Sequence, residues 1–237
     1  MKHRIWELDA FRGICILGMV IVHLVFDLID LYQLVSWDYP PIILFFMDWG
    51  GVLFVILSGI CATLGRQSLR RGVVVLCAGF WVSAVTCGMY RLGLASKDII
   101  IYFGILHCLG TCMLLWWPLK HLPTWTLALF SAAMIAAGLH LEALPRADVS
   151  YLMIFGIPWK GFSSSDYFPL LPNLGWFLLG SVIGRRAYRQ KATLLPAINP
   201  QKTVLRFLCF CGRRSLWIYL LHQPILSGIL MLVSLLK

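Results

Sequence analysis

Long apolar runs are the feature that most constrains this chain. Seven such runs lie at 10–31, 41–64, 72–90, 98–118, 124–140, 168–185 and 213–235. Their lengths suit a bilayer crossing, and their apolar positions do not alternate as barrel strands would. Within lipid, only helices and closed barrels satisfy every backbone polar group. The sequence therefore predicts an all-α, polytopic transmembrane bundle of about seven spans.

Composition excludes a soluble fold, because 60% of the residues are apolar and only 13% are charged. Such a chain lacks the polar surface that a soluble domain needs. We expect one transmembrane domain over residues 1–237. The segment 148–162 is too short to cross and is broken by Gly156 and Pro158, so it predicts a re-entrant or interfacial piece. No cleaved signal peptide is expected, because Asp27 and Asp30 follow the first run instead of a small-residue cleavage site.

Basic residues predict the orientation in the membrane. With a cytoplasmic N-terminus, fifteen of the twenty Lys and Arg residues fall on the inner side and the C-terminus lies outside. The net charge of +10 is then a positive-inside bias, and no nucleic-acid partner is expected. The segment 186–212 is predicted to be a basic cytoplasmic loop that contacts anionic lipid or an anionic cytosolic ligand.

The first run carries a stripe of ionisable residues. At about 100° per residue, Arg12 and His23 return to within about 20° of one face and lie about 16 Å apart along the axis. Asp9 is three residues before Arg12, and Asp27 is four residues after His23, so each pair can meet. Arg12 alone fits a side chain that snorkels to the interface. Ionisable groups deeper in a span usually face a pathway, so the stripe predicts a functional site in which Asp27 orients His23.

Further polar groups lie within or beside the other runs. These groups are Asp48, His107, Asp166, Asn173 and His222, the last of which is followed by Gln223 and Pro224. Together they predict a shared aqueous cavity. His23 with His107 is also a possible axial pair for haem, a minor alternative. No metal site is expected, because Cys209-Phe-Cys211 lacks zinc spacing and histidine partners.

Several motifs together resemble a known family. They are "RIWELDAFRGICILGMVIVHLVFDL", "LFVILSGICATLGRQSLRR", "YFGILHCLG", "LPNLGWFLLGSVIGR" and "GRRSLWIYLLHQPIL". They resemble bacterial relatives of the catalytic domain of heparan-alpha-glucosaminide N-acetyltransferase, which are distantly similar to the acyltransferase-3 family. The most specific element is Leu8-Asp9-x-x-Arg12-Gly13 with His23 eleven residues after the arginine. This spacing is similar to the acyltransferase-3 signature.

The resemblance implies an integral-membrane acyltransferase of the bacterial inner membrane. It implies transfer of an acetyl group from cytoplasmic acetyl-CoA to a sugar or other polar acceptor on the outer side. One departure leaves the base open: the lysosomal enzyme has Asn at the position of His23, and its catalytic His matches a position near Leu34. The base is then His23 or His107. The chain has fewer spans than that enzyme, which leaves two alternatives: it is a minimal core, or a second subunit of a homo-oligomer completes its acceptor site.

The predicted site divides by ligand. The catalytic residues are His23, Asp27 and His107. Charge-assisted bonds to CoA phosphates are expected from arginines at the cytoplasmic side, which are Arg12, Arg66, Arg70, Arg71, Arg213 and Arg214. The acceptor is expected to contact Trp37, Asp48, Asp166, Asn173 and His222. The alternative function is a proton-coupled transporter in which His23 and Asp27 relay protons, although we find no inverted repeat.

Overall fold

The computed structural model describes residues 5–235. Lys2, Arg4 and Lys237, which were counted for the orientation, lie outside the described residues. The elements are helical, and the described part holds no β-strand, only two isolated bridges that join Phe103 to Tyr167 and Ala147 to Trp159. The all-α prediction is therefore confirmed.

Eight α-helices follow one another within residues 5–235. They are α1 (Trp6–Phe26), α2 (Pro41–Leu64), α3 (Ser68–Arg91), α4 (Ile105–Leu119), α5 (Thr124–Glu142), α6 (Leu170–Ala187), α7 (Thr203–Arg213) and α8 (Ser215–Leu235). A π-helical turn at Asp27–Leu31 extends α1. Short 3-10 helices lie at Lys97–Ile99 and Ser150–Phe155.

Five segments are long and apolar enough to cross a membrane. They are Trp6–Leu31, Pro41–Leu64, Ser68–Arg91, Thr124–Glu142 and Ser215–Ser234. Such helices support an integral membrane protein, but the predicted count of seven is not confirmed. The run 98–118 becomes a 3-10 turn, an extended segment and the short apolar helix Ile105–Leu119. The run 168–185 becomes α6, an 18-residue helix with non-helical backbone at Leu171.

The chain forms two compact units. Unit 1 is Met1–Phe54 with Gln190–Lys237, and unit 2 is Val55–Arg189. In unit 1, α1 packs against α7 and α8; in unit 2, α3 packs on α4 and α5 on α6. Residues 203–212 of the predicted basic loop lie in helix α7 instead. Cys209 and Gly212 lie against α1, where Cys209 Sγ is 3.4 Å from the Trp6 carbonyl oxygen.

The 148–162 segment contains the short 3-10 helix Ser150–Phe155. Gly156 ends it with φ of 110°, a left-handed conformation that glycine adopts without a side-chain penalty. Its backbone N–H bonds to the Met153 carbonyl at 3.1 Å. The segment then continues to Trp159, which bridges back to Ala147.

Candidate functional site

Glycines bring α1 and α7 of unit 1 into backbone contact. A Cβ on Gly13 would lie 2.1 Å from the Leu208 carbonyl oxygen, and one on Gly212 would lie 1.8 Å from the Asp9 carbonyl oxygen. Only residues without a side chain permit this crossing. The glycine of the Arg12-Gly13 motif therefore has a packing role.

Arg12 lies at this crossing. Its Nη1 is 3.1 Å from Oδ1 of Asp9, as the i,i+3 spacing predicted, and 3.5 Å from the Gly212 carbonyl oxygen. Asp9 is buried, with 6% of its surface exposed, and Arg12 is half-buried. The pair therefore joins α1 to the last residues of α7.

Two histidines meet between α1 and α8. The ring centroids of His23 and His222 are 4.9 Å apart and the rings are inclined by 55°. His222 Nδ1 is 2.6 Å from the Tyr219 carbonyl oxygen. A carbonyl oxygen only accepts, so Nδ1 carries the hydrogen, and Nε2 of the neutral ring presents a lone pair.

The next residue of α8 fixes the carboxylate of the stripe. Gln223 Nε2 donates to Oδ1 and Oδ2 of Asp27 at 3.2 and 3.0 Å, and lies 3.4 Å from Ser227 Oγ. Asp27 is the first residue of the π-helical turn and is 1% exposed. Within residues 5–235, Asp27 makes no hydrogen bond with His23; its partner is on α8.

Two adjacent groups on α8 are buried without a partner. Among the described residues, His222 Nε2 and Gln223 Oε1 are the buried side-chain nitrogen and oxygen atoms that make no hydrogen bond. Buried polar atoms are nearly always paired, so such exceptions point to a missing ligand or water. Both atoms are acceptors, because Gln223 Nε2 faces Asp27 and His222 Nδ1 carries the ring hydrogen. The site therefore suits a ligand that brings N–H or O–H donors.

His107 lies in unit 2, and both of its ring nitrogens are engaged. Nδ1 accepts from the Gly104 backbone N–H at 3.2 Å, and Nε2 is 3.3 Å from Ser83 Oγ. Ser83 Oγ in turn donates to the Ile101 carbonyl at 2.5 Å. The residue is 2% exposed and stands third in α4, not deep in a span. This geometry fixes the start of α4.

The predicted acceptor residues of unit 2 also bond to backbone. Asp166 Oδ2 accepts from the Ile105 N–H at 3.0 Å, which caps α4. Asn173 Nδ2 donates to the Pro169 carbonyl at 2.9 Å. Both therefore stabilise local structure, Asp166 at the start of α4 and Asn173 at the start of α6.

The remaining predicted site residues are mostly exposed. In unit 1 the exposed residues are Trp37, Asp48, Arg213 and Arg214, and in unit 2 they are Arg66, Arg70 and Arg71. Arg66 lines a cavity of unit 2, together with three basic residues that were not predicted as site residues: Lys120, His121 and Arg185. Lys120 and Arg185 lie at or just beyond the ends of apolar runs, a usable signal that was assigned to topology alone.

An aromatic cluster lies near the start of α6 in unit 2. Phe162 packs against Trp159 and Tyr167, with ring centroids 4.6 and 4.8 Å away. The Tyr167 hydroxyl donates to the Met153 carbonyl at 2.6 Å. Burial, and next the charge of Glu142, raises the pKa of Tyr167 to about 12. The phenol therefore remains a hydrogen-bond donor across the physiological range.

Comparison with known proteins gives one family. The family described as heparan-alpha-glucosaminide N-acetyltransferase, catalytic, matches residues 4–224, nearly the whole chain. No curated protein and no solved structure matches significantly. The family match confirms the resemblance drawn from the motifs, and with the apolar helices it supports an acetyltransferase-type function in a membrane. The chain belongs to the family of the heparan-alpha-glucosaminide N-acetyltransferase catalytic domain.

Proposed function

We propose that this chain is an integral-membrane acyltransferase that moves an acyl group, foremost acetyl, from cytoplasmic acyl-CoA to a hydroxyl or amine on the outer side. The observation that carries the proposal is the unpartnered Nε2 of His222, buried beside His23. A general base in this reaction needs a lone pair and room for a donor. The family match supports the reaction class.

The molecule that receives the acyl group binds the two unpartnered atoms on α8. Its O–H or N–H donates to His222 Nε2, and an acceptor with a second hydrogen also donates to Gln223 Oε1. A sugar alcohol or an amino sugar has such donors. Both protein atoms are hydrogen-bond acceptors. An acyl-accepting substrate without O–H or N–H groups would leave them unpaired, at a cost of about 1–3 kcal/mol per group.

The chemistry is a balanced acyl transfer. His222 Nε2 takes the proton as the acceptor oxygen or nitrogen attacks the thioester carbonyl carbon. The new C–O or C–N bond forms and the C–S bond breaks. The leaving CoA thiolate then receives the proton from the imidazolium and departs as the thiol. General base catalysis of this kind contributes about 10²–10⁴-fold.

His23 is the second imidazole of the site. The sequence predicted His23 or His107 as the base. Because both His107 ring nitrogens are engaged with Gly104 and Ser83, we favour the His23–His222 pair. We assign the base to His222 and the positioning role to His23. Asp27, which was predicted to orient His23, accepts instead from Gln223 Nε2.

The test uses purified protein in liposomes with labelled acetyl-CoA and a panel of amino sugars and polyols. We expect acetyl transfer that His222→Gln lowers by at least 10²-fold. His23→Gln is expected to lower kcat less and to shift the pH–rate profile. His140→Gln, an exposed histidine of α5, is the matched control.

Two results would contradict the proposal. Full transfer by His222→Gln would remove the base from this site. Uptake of a solute without acetylated product would favour the transporter.

A further inference from the structure

The cavity of unit 2 is lined by an unusual concentration of positive charge. Its volume is about 410 Å³, which lies within the range of about 300–1,000 Å³ for small-molecule sites. Its lining residues are Ala62, Thr63, Gly65, Arg66, Ser68, Trp116, Lys120, His121 and Arg185. Two of them are arginines, one is a lysine and one is a histidine, while none is acidic.

We propose that this cavity binds phosphate groups. The ligand chemistry is a phosphate ester or diphosphate, carried either by the nucleotide end of acyl-CoA or by an anionic lipid headgroup. The phosphate site stands on the cavity itself. Only its identification with acyl-CoA rests on the proposed function.

The first argument is that no carboxylate neutralises these cations. Among residues 5–235, the recorded ion pairs are Arg12 with Asp9 and Lys160 with Asp148, and none of these residues lines the cavity. Cations on a protein surface usually intersperse with acidic groups. A concave site with one sign of charge concentrates ligands of the opposite sign.

The second argument is that Arg185 is held in place by neutral partners. Its Nη1 donates to the Leu122 carbonyl at 2.7 Å and its Nη2 to the Lys120 carbonyl at 2.6 Å. The guanidinium lies 5.3 Å from the ring centroid of Trp116. Trp116 is itself fixed, because its Nε1 donates to the Ala62 carbonyl at 3.3 Å.

These contacts fix the guanidinium without cancelling its charge. Carbonyl oxygens and an aromatic face contribute no net negative charge, so the positive charge of Arg185 remains available to an anion. Preorganisation lowers the entropy that a ligand must offset on binding. Arg66 and Lys120 are exposed and can close on the ligand from the rim.

The third argument is the arrangement around Gly65. The lining contains both Gly65 and the buried Ser68, the first residue of α3. A Cβ on Gly65 would lie 3.4 Å from Nη1 of Arg71. The cavity therefore has a hydroxyl in its wall and a further guanidinium close to it. Charge-assisted bonds from arginine to phosphate are among the strongest polar contacts in proteins.

A positive-inside surface is the simpler explanation of the same residues. It predicts weak and additive attraction to anions, with no saturation and with equal effects of every exposed arginine. A built phosphate site predicts saturable binding that depends on the lining residues. The two readings are therefore separated by a variant comparison.

The first arm measures saturable binding of pyrophosphate, CoA and dephospho-CoA to the full chain in a neutral detergent. The variants are Arg66→Gln and Lys120→Gln, which change exposed side chains, and Arg91→Gln is the exposed control outside the cavity. We expect each lining variant to weaken binding about tenfold and the control to leave it within twofold.

The second arm replaces detergent by nanodiscs of phosphatidylcholine alone or with phosphatidylglycerol. Saturable binding of CoA and dephospho-CoA, lost in the lining variants, identifies the nucleotide end of the donor. Stabilisation by phosphatidylglycerol alone, lost in the same variants, identifies a lipid headgroup. Either result supports the phosphate site. Absence of both, or equal effects of Arg91→Gln and Arg66→Gln, overturns it.

Acyl transfer kinetics separate this proposal from the proposed function. If acyl-CoA is the ligand, Arg66→Gln raises KM for acyl-CoA about tenfold with little change in kcat. If Arg66→Gln transfers acyl groups with an unchanged KM and binds pyrophosphate as the wild type does, the phosphate site is contradicted but the proposed function is not. If the protein transfers no acyl group but its pyrophosphate binding requires Arg66, the proposed function is contradicted but the phosphate site is not.

Discussion

The contact between Gln223 and Asp27 gives a quantitative prediction. One amide nitrogen lies 3.2 and 3.0 Å from the two carboxylate oxygens of a side chain that is 1% exposed. A hydrogen bond to a charged group contributes about 1.5–3 kcal/mol, and an abandoned buried acceptor costs at least as much. Gln223→Met keeps the side-chain volume and removes the donor. We expect it to lower the free energy of unfolding by about 2–3 kcal/mol.

A double-mutant cycle isolates the pair. Unfolding in mixed detergent and SDS is measured for the wild type, Gln223→Met, Asp27→Ala and the double variant. We expect a coupling energy of about 1.5–3 kcal/mol, because the second change removes a group that has already lost its partner. Gln201→Ala, an exposed glutamine of the same unit, is the control and should show no coupling with Asp27→Ala. Effects that add to within about 0.5 kcal/mol would refute the contact.

Three further predictions follow from single contacts. Gly212→Ala places a Cβ 1.8 Å from a carbonyl oxygen of α1 and should cost about 1–3 kcal/mol or more in detergent unfolding, whereas Gly228→Ala, with open space around it, should cost nothing. Ser83→Ala leaves Nε2 of His107 without its partner and should lower stability by about 1–3 kcal/mol; loss of acyl transfer with the fold intact would instead favour a catalytic His107. Tyr167 has its pKa raised from 10.0 to about 12, so its stabilising contribution is complete below pH 10 and is lost as the pH rises through 12. Between pH 10 and 12, the free energy of unfolding should therefore fall less in Tyr167→Phe than in the wild type. An identical pH profile would contradict the buried phenol.

Apolar run length predicted the longest helices well. The run 41–64 coincides with α2, and 124–140 differs from α5 by two residues at its end. Helix α7 was missed because its charges and the preceding prolines were read as loop, although Leu205, Leu208 and Gly212 have helical spacing. The late start of α4 could not be read from the run 98–118. Its cap is supplied by Asp166, which is 61 residues away in the chain from Ile105.

The candidate site was predicted in part. Helical spacing placed Asp9 against Arg12, since that contact is local and depends only on the helix period. The partners of His23 and Asp27 could not be assigned, because periodicity gives the face of a helix and not the helix that covers it. His222 and Gln223 were visible as polar residues in an apolar run, yet only packing of α8 on α1 makes them partners.

The position of α1 and α8 in the chain has a consequence for biogenesis. Asp27 and Gln223 are separated by 196 residues, and the segment between them contains all of unit 2. As synthesis proceeds from the N-terminus, α1 reaches the membrane with a histidine and a carboxylate whose partners have not yet been translated. An unpaired aspartate costs up to about 2.5–3.5 kcal/mol at the centre of a span on insertion scales, and Asp27 lies near one end of the segment Trp6–Leu31. Until α8 is translated, the polar side chains of α1 therefore need other hydrogen-bond partners, from the insertion machinery or from water at the membrane interface.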